Sequence, residues 1–118
     1  MQYVLLIYTS EDVIAGMSDE ERGTYFQEWG QYEGEVQQLG IKTGGKPLQS
    51  VSNSTTVRIR DGKSMITDGP FAETKEQLAG FYVLECKDLD EAIALAGKMP
   101  DAQFGCIEVR PVYEKMDI

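Results

Sequence analysis

Histidine is absent from this sequence of 118 residues. Its absence removes the commonest general base and metal ligand, and with them any Ser-His or Cys-His nucleophilic pair. Chemistry on this chain falls to carboxylates, lysine, tyrosine, cysteine or arginine. Cysteine is scarce: Cys86 and Cys106 stand alone. Two thiols without histidine do not compose a zinc site, and their apolar, strand-like surroundings suggest buried, inert groups. No metal, cofactor or disulfide is therefore expected. Basic charge is also short, with 11 Lys and Arg against 20 Asp and Glu and a net charge of −9. That balance argues against nucleic acid, whose binding rests on cations neutralising phosphates, and against anionic membrane surfaces. No apolar run approaches the roughly 20 residues of a membrane span. Residues 1–8 lack the basic leader and small-residue cleavage site of a signal peptide. The expectation is a cytoplasmic protein whose residues 1–118 form one domain.

The remaining residues lay out a clear order of elements. Residues 3–8 are apolar at nearly every position, as in a strand covered on both faces. A loop over 9–17 follows. Ser18 and Glu21 have capping-box spacing, opening a helix that runs to Leu39 and stops at Gly40. Tyr25, Phe26, Trp29, Tyr32, Val36 and Leu39 recur at steps that share one helix face. Gly23, Gly30 and Gly34 interrupt this helix, and close packing on a sheet would account for them. Residues 41–45 read as a short strand and turn. Residues 55–60 alternate, Asp61-Gly62 is a hairpin turn, and 64–67 return. Residues 72–78 suit one helical turn. Residues 81–84 form a second continuous apolar strand, and Asp88 with Glu91 caps a second helix ending before Pro100. A last strand spans 106–113.

Two helices separated by strands suit an antiparallel sheet with both helices on one face, the ferredoxin-like α+β plan. Two helices cover only one face, yet residues 3–8 and 81–84 read as covered on both. A second copy of the sheet is the simplest cover, so a face-to-face homodimer with two-fold symmetry is expected. The alternative is a chain segment folded over the open face.

The block Thr67-Asp68-Gly69-Pro70-Phe71-Ala72-Glu73-Thr74-Lys75, continuing to Gly80-Phe81-Tyr82, resembles the DGPF motif of a family within the YCII-related superfamily. Leu5-Leu6-Ile7-Tyr8, Thr55-Thr56-Val57-Arg58, Asp88-Leu89-Asp90-Glu91-Ala92 and Glu108-Val109-Arg110-Pro111-Val112 resemble its other elements in order, so the likeness spans nearly the whole chain. The resemblance implies a ferredoxin-like dimer of the α/β-barrel type. The superfamily includes a dehydrochlorinase acting on a chlorinated hydroxyhydroquinone, with a His–Asp pair proposed in a cleft. Asp68 corresponds to the aspartate, and the histidine has no counterpart here. Some relatives are encoded beside extracytoplasmic-function sigma factors, which implies a regulatory partner.

Asp68 is the first candidate residue, as a general base at a cleft mouth or as a turn aspartate bonding its own backbone. Arg58, Arg60, Glu108 and Arg110 alternate with apolar neighbours. They would clamp an anionic ligand in a cavity between the sheets or close cross-strand ion pairs. Lys75, in a charged cluster with Glu73 and Glu76, either borders the pocket or is solvated. Tyr8, Trp29 and Tyr82 read as core or interface aromatics, with Tyr8 the one placed for ligand contact. The expected function is binding or sensing of a small acidic or phenolic metabolite near Asp68. The alternatives are proton abstraction and elimination with Asp68 as base, a regulatory role with a sigma factor, or a purely structural dimer.

Overall fold

The computed structural model describes residues 1–114. Strand β1 (Gln2–Thr9) leads into a short helix α1 (Glu11–Ala15) and a long helix α2 (Asp19–Leu39). The capping box at the start of α2 is complete: Ser18 Oγ accepts from the Glu21 amide, and the Glu21 carboxylate accepts from the Ser18 amide. Such a cap contributes about 1 kcal/mol. Gly40 ends the helix in the left-handed conformation, φ 66°. Strand β2 (Lys42–Pro47), the hairpin β3 (Thr55–Arg60) and β4 (Lys63–Asp68), and β5 (Gln77–Glu85) follow. The hairpin turns through Asp61 and Gly62, both at positive φ, which suits the right-handed twist of two strands joined by two residues. Helix α3 (Leu89–Gly97) is capped by Asp88, and a single 3-10 turn (Pro100–Gln103) carries the chain into β6 (Cys106–Pro111).

Four strands form one antiparallel sheet in the order β2-β5-β1-β6, while β3 and β4 form a separate two-stranded sheet. Strand β1 alternates between buried and half-buried residues. Tyr3, Leu5 and Ile7 face the helices, and with Tyr32, Val36, Leu84, Cys86, Ala92, Leu95, Ala96 and Met99 they make the core. Each fully buried large side chain here contributes roughly 1.5–3 kcal/mol. On the opposite face, Val4 and Leu6 of β1 lie beside Val83 and Phe81 of β5 in register, all half-buried. Helices α2 and α3 leave that face uncovered.

Several local expectations are corrected. The segment 9–17 is not all loop, because Ser10 caps α1. Residues 72–78 hold no helical turn; Gln77 and Leu78 already pair with β1. Phe26 and Leu39 are 60% and 57% exposed, so Tyr32 and Val36 carry the apolar face of α2. Nothing lies within 4 Å of a Cβ built on Gly23, Gly30 or Gly34, so close packing does not explain these glycines. Cys106 is exposed because it opens an edge strand opposite Tyr8 on the uncovered face. In the hairpin, Val57, Ile59 and Ile66 share one face and are 61–70% exposed. An isolated two-stranded hairpin is marginal in water, and this one forms a sheet of its own apart from the four-stranded one. No described helix is long and apolar enough to cross a membrane.

Candidate functional site

A cavity of about 500 Å³ opens on the helix side of the sheet, between α2 and the β2–β5 edge. Helix α2 lends Tyr25, Phe26, Trp29, Gly30 and Glu33, one turn apart or less, so the residues share a stripe. Lys42, Gly45 and Pro47 come from β2, and Ala79, Gly80 and Tyr82 from β5. Gly45 and Gly80 let the two strands draw together there; a Cβ on Gly45 would meet the Phe81 carbonyl oxygen at 2.5 Å. Aromatic residues from α2 and β5 make up a third of the lining. Trp29 stacks on Tyr82 with ring centroids 6.0 Å apart and meets Tyr32 edge-on at 5.6 Å.

Two polar groupings converge on these walls. In the first, Glu33 accepts from Lys42 Nζ at 2.6 Å, from the Tyr82 hydroxyl and from Gln37. Lys42 Nζ also lies 4.7 Å above the Tyr82 ring. Partial burial alone would raise the Glu33 carboxyl. The hydrogen bonds from Lys42, Tyr82 and Gln37, with the Lys42 charge, outweigh it and hold Glu33 below the usual carboxylate value. Tyr82 moves the other way: burial, then the bond and charge of Glu33, keep its phenol protonated far above neutral pH. In the second grouping, Asp101 is fully buried in the 3-10 turn, where Pro100 begins the turn. It accepts from Trp29 Nε1 at 2.9 Å and from the Tyr25 hydroxyl at 3.0 Å. Burial, then the bond to Asp101 and its charge, likewise push the Tyr25 phenol up. Among the described residues no Lys or Arg lies within 4 Å of Asp101. The arrangement offers a flat apolar slot with hydrogen-bond donors and acceptors at its edge, the ordinary make-up of a small-molecule site.

The residues expected from the sequence are not gathered in one place. Asp68 ends β4, exposed, opposite Thr55. Arg58 lies on the other face of the hairpin, opposite Met65, and is also exposed. Neither lines the cavity. Thr56 Oγ1 donates to the Gly69 carbonyl at 2.8 Å, pinning the motif turn to the hairpin base. Lys75 lines a shallow surface cleft with Ser10, Asp12, Glu73, Thr74, Glu76 and Gln77. Tyr8, Glu108 and Arg110 do share a surface, the uncovered sheet face, where Tyr8 is opposite Cys106, Leu6 opposite Glu108 and Val4 opposite Arg110. Glu108 and Arg110 pair with each other along β6. Among the described residues, no three carboxylates or thiols converge as a metal ion would require.

The sequence places Tyr25 on the apolar helix face and Trp29 and Tyr82 in a core or interface, and it does not mark Glu33, Lys42 or Asp101 as site residues. The available signal was an aspartate directly after Pro100 beyond an apolar helix, together with a polar residue, Glu33, on the aromatic stripe. The YCII-related domain matches residues 1–115. An uncharacterized protein of Rhizobium meliloti (strain 1021) is 35% identical over 114 residues, covering 95% of this chain and 92% of that protein. With a domain match over almost its full length and a relative that aligns over nine-tenths of both chains, the chain belongs to the YCII-related family.

Proposed function

We propose that the protein binds a small molecule in the helix-side cavity and works as a homodimer of ferredoxin-like subunits. The observation that carries the binding function is the cavity itself: about 500 Å³, walled by Tyr25, Trp29 and Tyr82, with Glu33 and Lys42 at its edge. The strand order β2-β5-β1-β6, with helices between β1 and β2 and between β5 and β6, supports the ferredoxin-like arrangement. The dimer is supported by the uncovered sheet face, whose half-buried Val4, Leu6, Phe81 and Val83 form an apolar centre beside charged Glu108 and Arg110.

Asp68 as base in an elimination is the second reading. It is favoured by a carboxylate that makes no side-chain hydrogen bond among the described residues and stands at a motif turn whose Gly69 needs φ 93°.

Thermal unfolding with a panel of small aromatic acids, phenols, alcohols and amines separates the two readings. A ligand at 100 times its dissociation constant adds about 2.7 kcal/mol, a rise of several degrees for a domain of this size. A Gly30→Leu variant fills the cavity from α2 without meeting any atom within 4 Å of its Cβ. The shift is expected in the parent and in Asp68→Asn, and is expected to vanish in Gly30→Leu. A shift that survives Gly30→Leu and vanishes in Asp68→Asn would move the site to the motif and overturn the cavity reading.

A further inference from the structure

We propose that the cavity selects an organic monocation, an ammonium group carried on a small apolar or aromatic body. The inference rests on the cavity being the binding site and adds the charge of what binds there. Asp101 is a carboxylate with no exposed surface, and its two side-chain donors, Trp29 and Tyr25, are both neutral. A buried anion without a cation is costly to keep. In a wall of low dielectric its field reaches into the adjoining space with little screening. Both donors are rings of the cavity wall. An indole N–H and a phenol O–H that donate to a carboxylate gain electron density on their faces, which strengthens their attraction for a cation.

The other end of the same wall already holds a primary ammonium by this chemistry. Lys42 Nζ rests over the Tyr82 ring at 4.7 Å while pairing with Glu33 at 2.6 Å. Tyr82 stacks on Trp29, so one aromatic surface runs from that ammonium to the indole whose N–H meets Asp101. Glu33 and Lys42 cancel, leaving the negative charge of Asp101 uncompensated. Lys46 also borders the cavity, but its register opposite Phe81, itself opposite Leu6, places it on the other face of the sheet, so its ammonium is carried away from Asp101. An incoming ammonium would meet Trp29 and Tyr25 with Asp101 behind them, and its apolar body would lie along Phe26 and Pro47. Contact with the rings, with Asp101 acting through them, requires no opening of the buried carboxylate.

Calorimetric titration of the full chain near neutral pH with benzylamine, benzyl alcohol and benzoate isolates charge on one skeleton. The ammonium is expected to bind about tenfold tighter than the alcohol, the scale of a partly desolvated cation–π contact, and benzoate weakest of the three. Asp101→Asn is expected to bring benzylamine to within a few-fold of benzyl alcohol while leaving the alcohol unchanged. Should Asp101→Asn fail to fold, Glu33→Gln serves in its place, since it leaves Lys42 uncancelled and removes the same preference. Equal binding of all three, or tighter binding of benzoate, would overturn the cation selectivity and leave the cavity reading standing. No binding of any of the three, by calorimetry or by thermal shift, would overturn both.

Discussion

Leu6→Arg is expected to sediment as a single 13.2 kDa chain at concentrations where the parent is expected to sediment as a dimer. Leu6 occupies the middle of the uncovered sheet face, opposite Phe81 on one side and Glu108 on the other. In a two-fold interface the same patch meets itself, so residues near the centre lie close to their own copies. One substitution then inserts two arginines into an apolar contact, with the desolvation of both charges and their mutual repulsion. Removing charges from water without partners costs several kcal/mol. About 4 kcal/mol weakens a dissociation constant roughly a thousandfold. The folded monomer should survive, because Leu6 is on the face away from the core of Tyr3, Leu5 and Ile7. If Leu6→Arg remains a dimer, the sheet face is not the contact. The exposed Val57, Ile59 and Ile66 of the hairpin then become the surface to alter.

Gly105→Ala is expected to lower the unfolding midpoint by about 10 °C or more and to disturb the cavity as well. A Cβ at this position would come within 2.1 Å of the Tyr8 carbonyl oxygen and 3.1 Å of the Thr9 Cα. Both are main-chain atoms of β1, which cannot move aside as the end of a side chain can. The overlap has to be relieved by separating β1 from the start of β6, where Tyr8 pairs with Cys106. Overpacking of this kind costs roughly 3 kcal/mol, a large part of the 5–15 kcal/mol that holds a domain folded. The Gly105 amide also donates to the Asp101 carbonyl at 2.8 Å, so the displacement is transmitted to the turn that aims Asp101 at Trp29. Circular dichroism gives the midpoint. An unchanged midpoint would mean that the strands do not approach so closely.

Much of the chain's local structure was legible because it is written in short-range chemistry. The Ser18–Glu21 box, the Gly40 stop, the Asp61-Gly62 turn and the Asp88 cap each involve residues a few positions apart, and each forms as its spacing implies. Residues 3–8 read as a doubly covered strand because Val4, Leu6 and Tyr8 are as apolar as Tyr3, Leu5 and Ile7. Within the chain the second set is buried and the first only half-buried, which is the pattern that the proposed dimer would complete. The cavity was not legible, since its parts come from distant segments. Asp101 meets Tyr25 and Trp29 across more than seventy positions, and Tyr82 meets Glu33 across 49. Composition and periodicity carry no information about such meetings. The motif drew attention to Asp68, whereas the packing draws polar groups together around Trp29.

Trp29 is the sole tryptophan of the chain and part of the cavity wall, so its fluorescence reports on that one place. Titrating benzylamine into the parent and into Gly30→Leu, with Trp29 emission as the readout, tests the central claim most directly. The account predicts a saturable change in intensity or wavelength in the parent and none in Gly30→Leu, at equal folded content. An identical saturable change in both proteins, or none in the parent while its unfolding midpoint still rises with the same compound, would contradict it and place the ligand elsewhere.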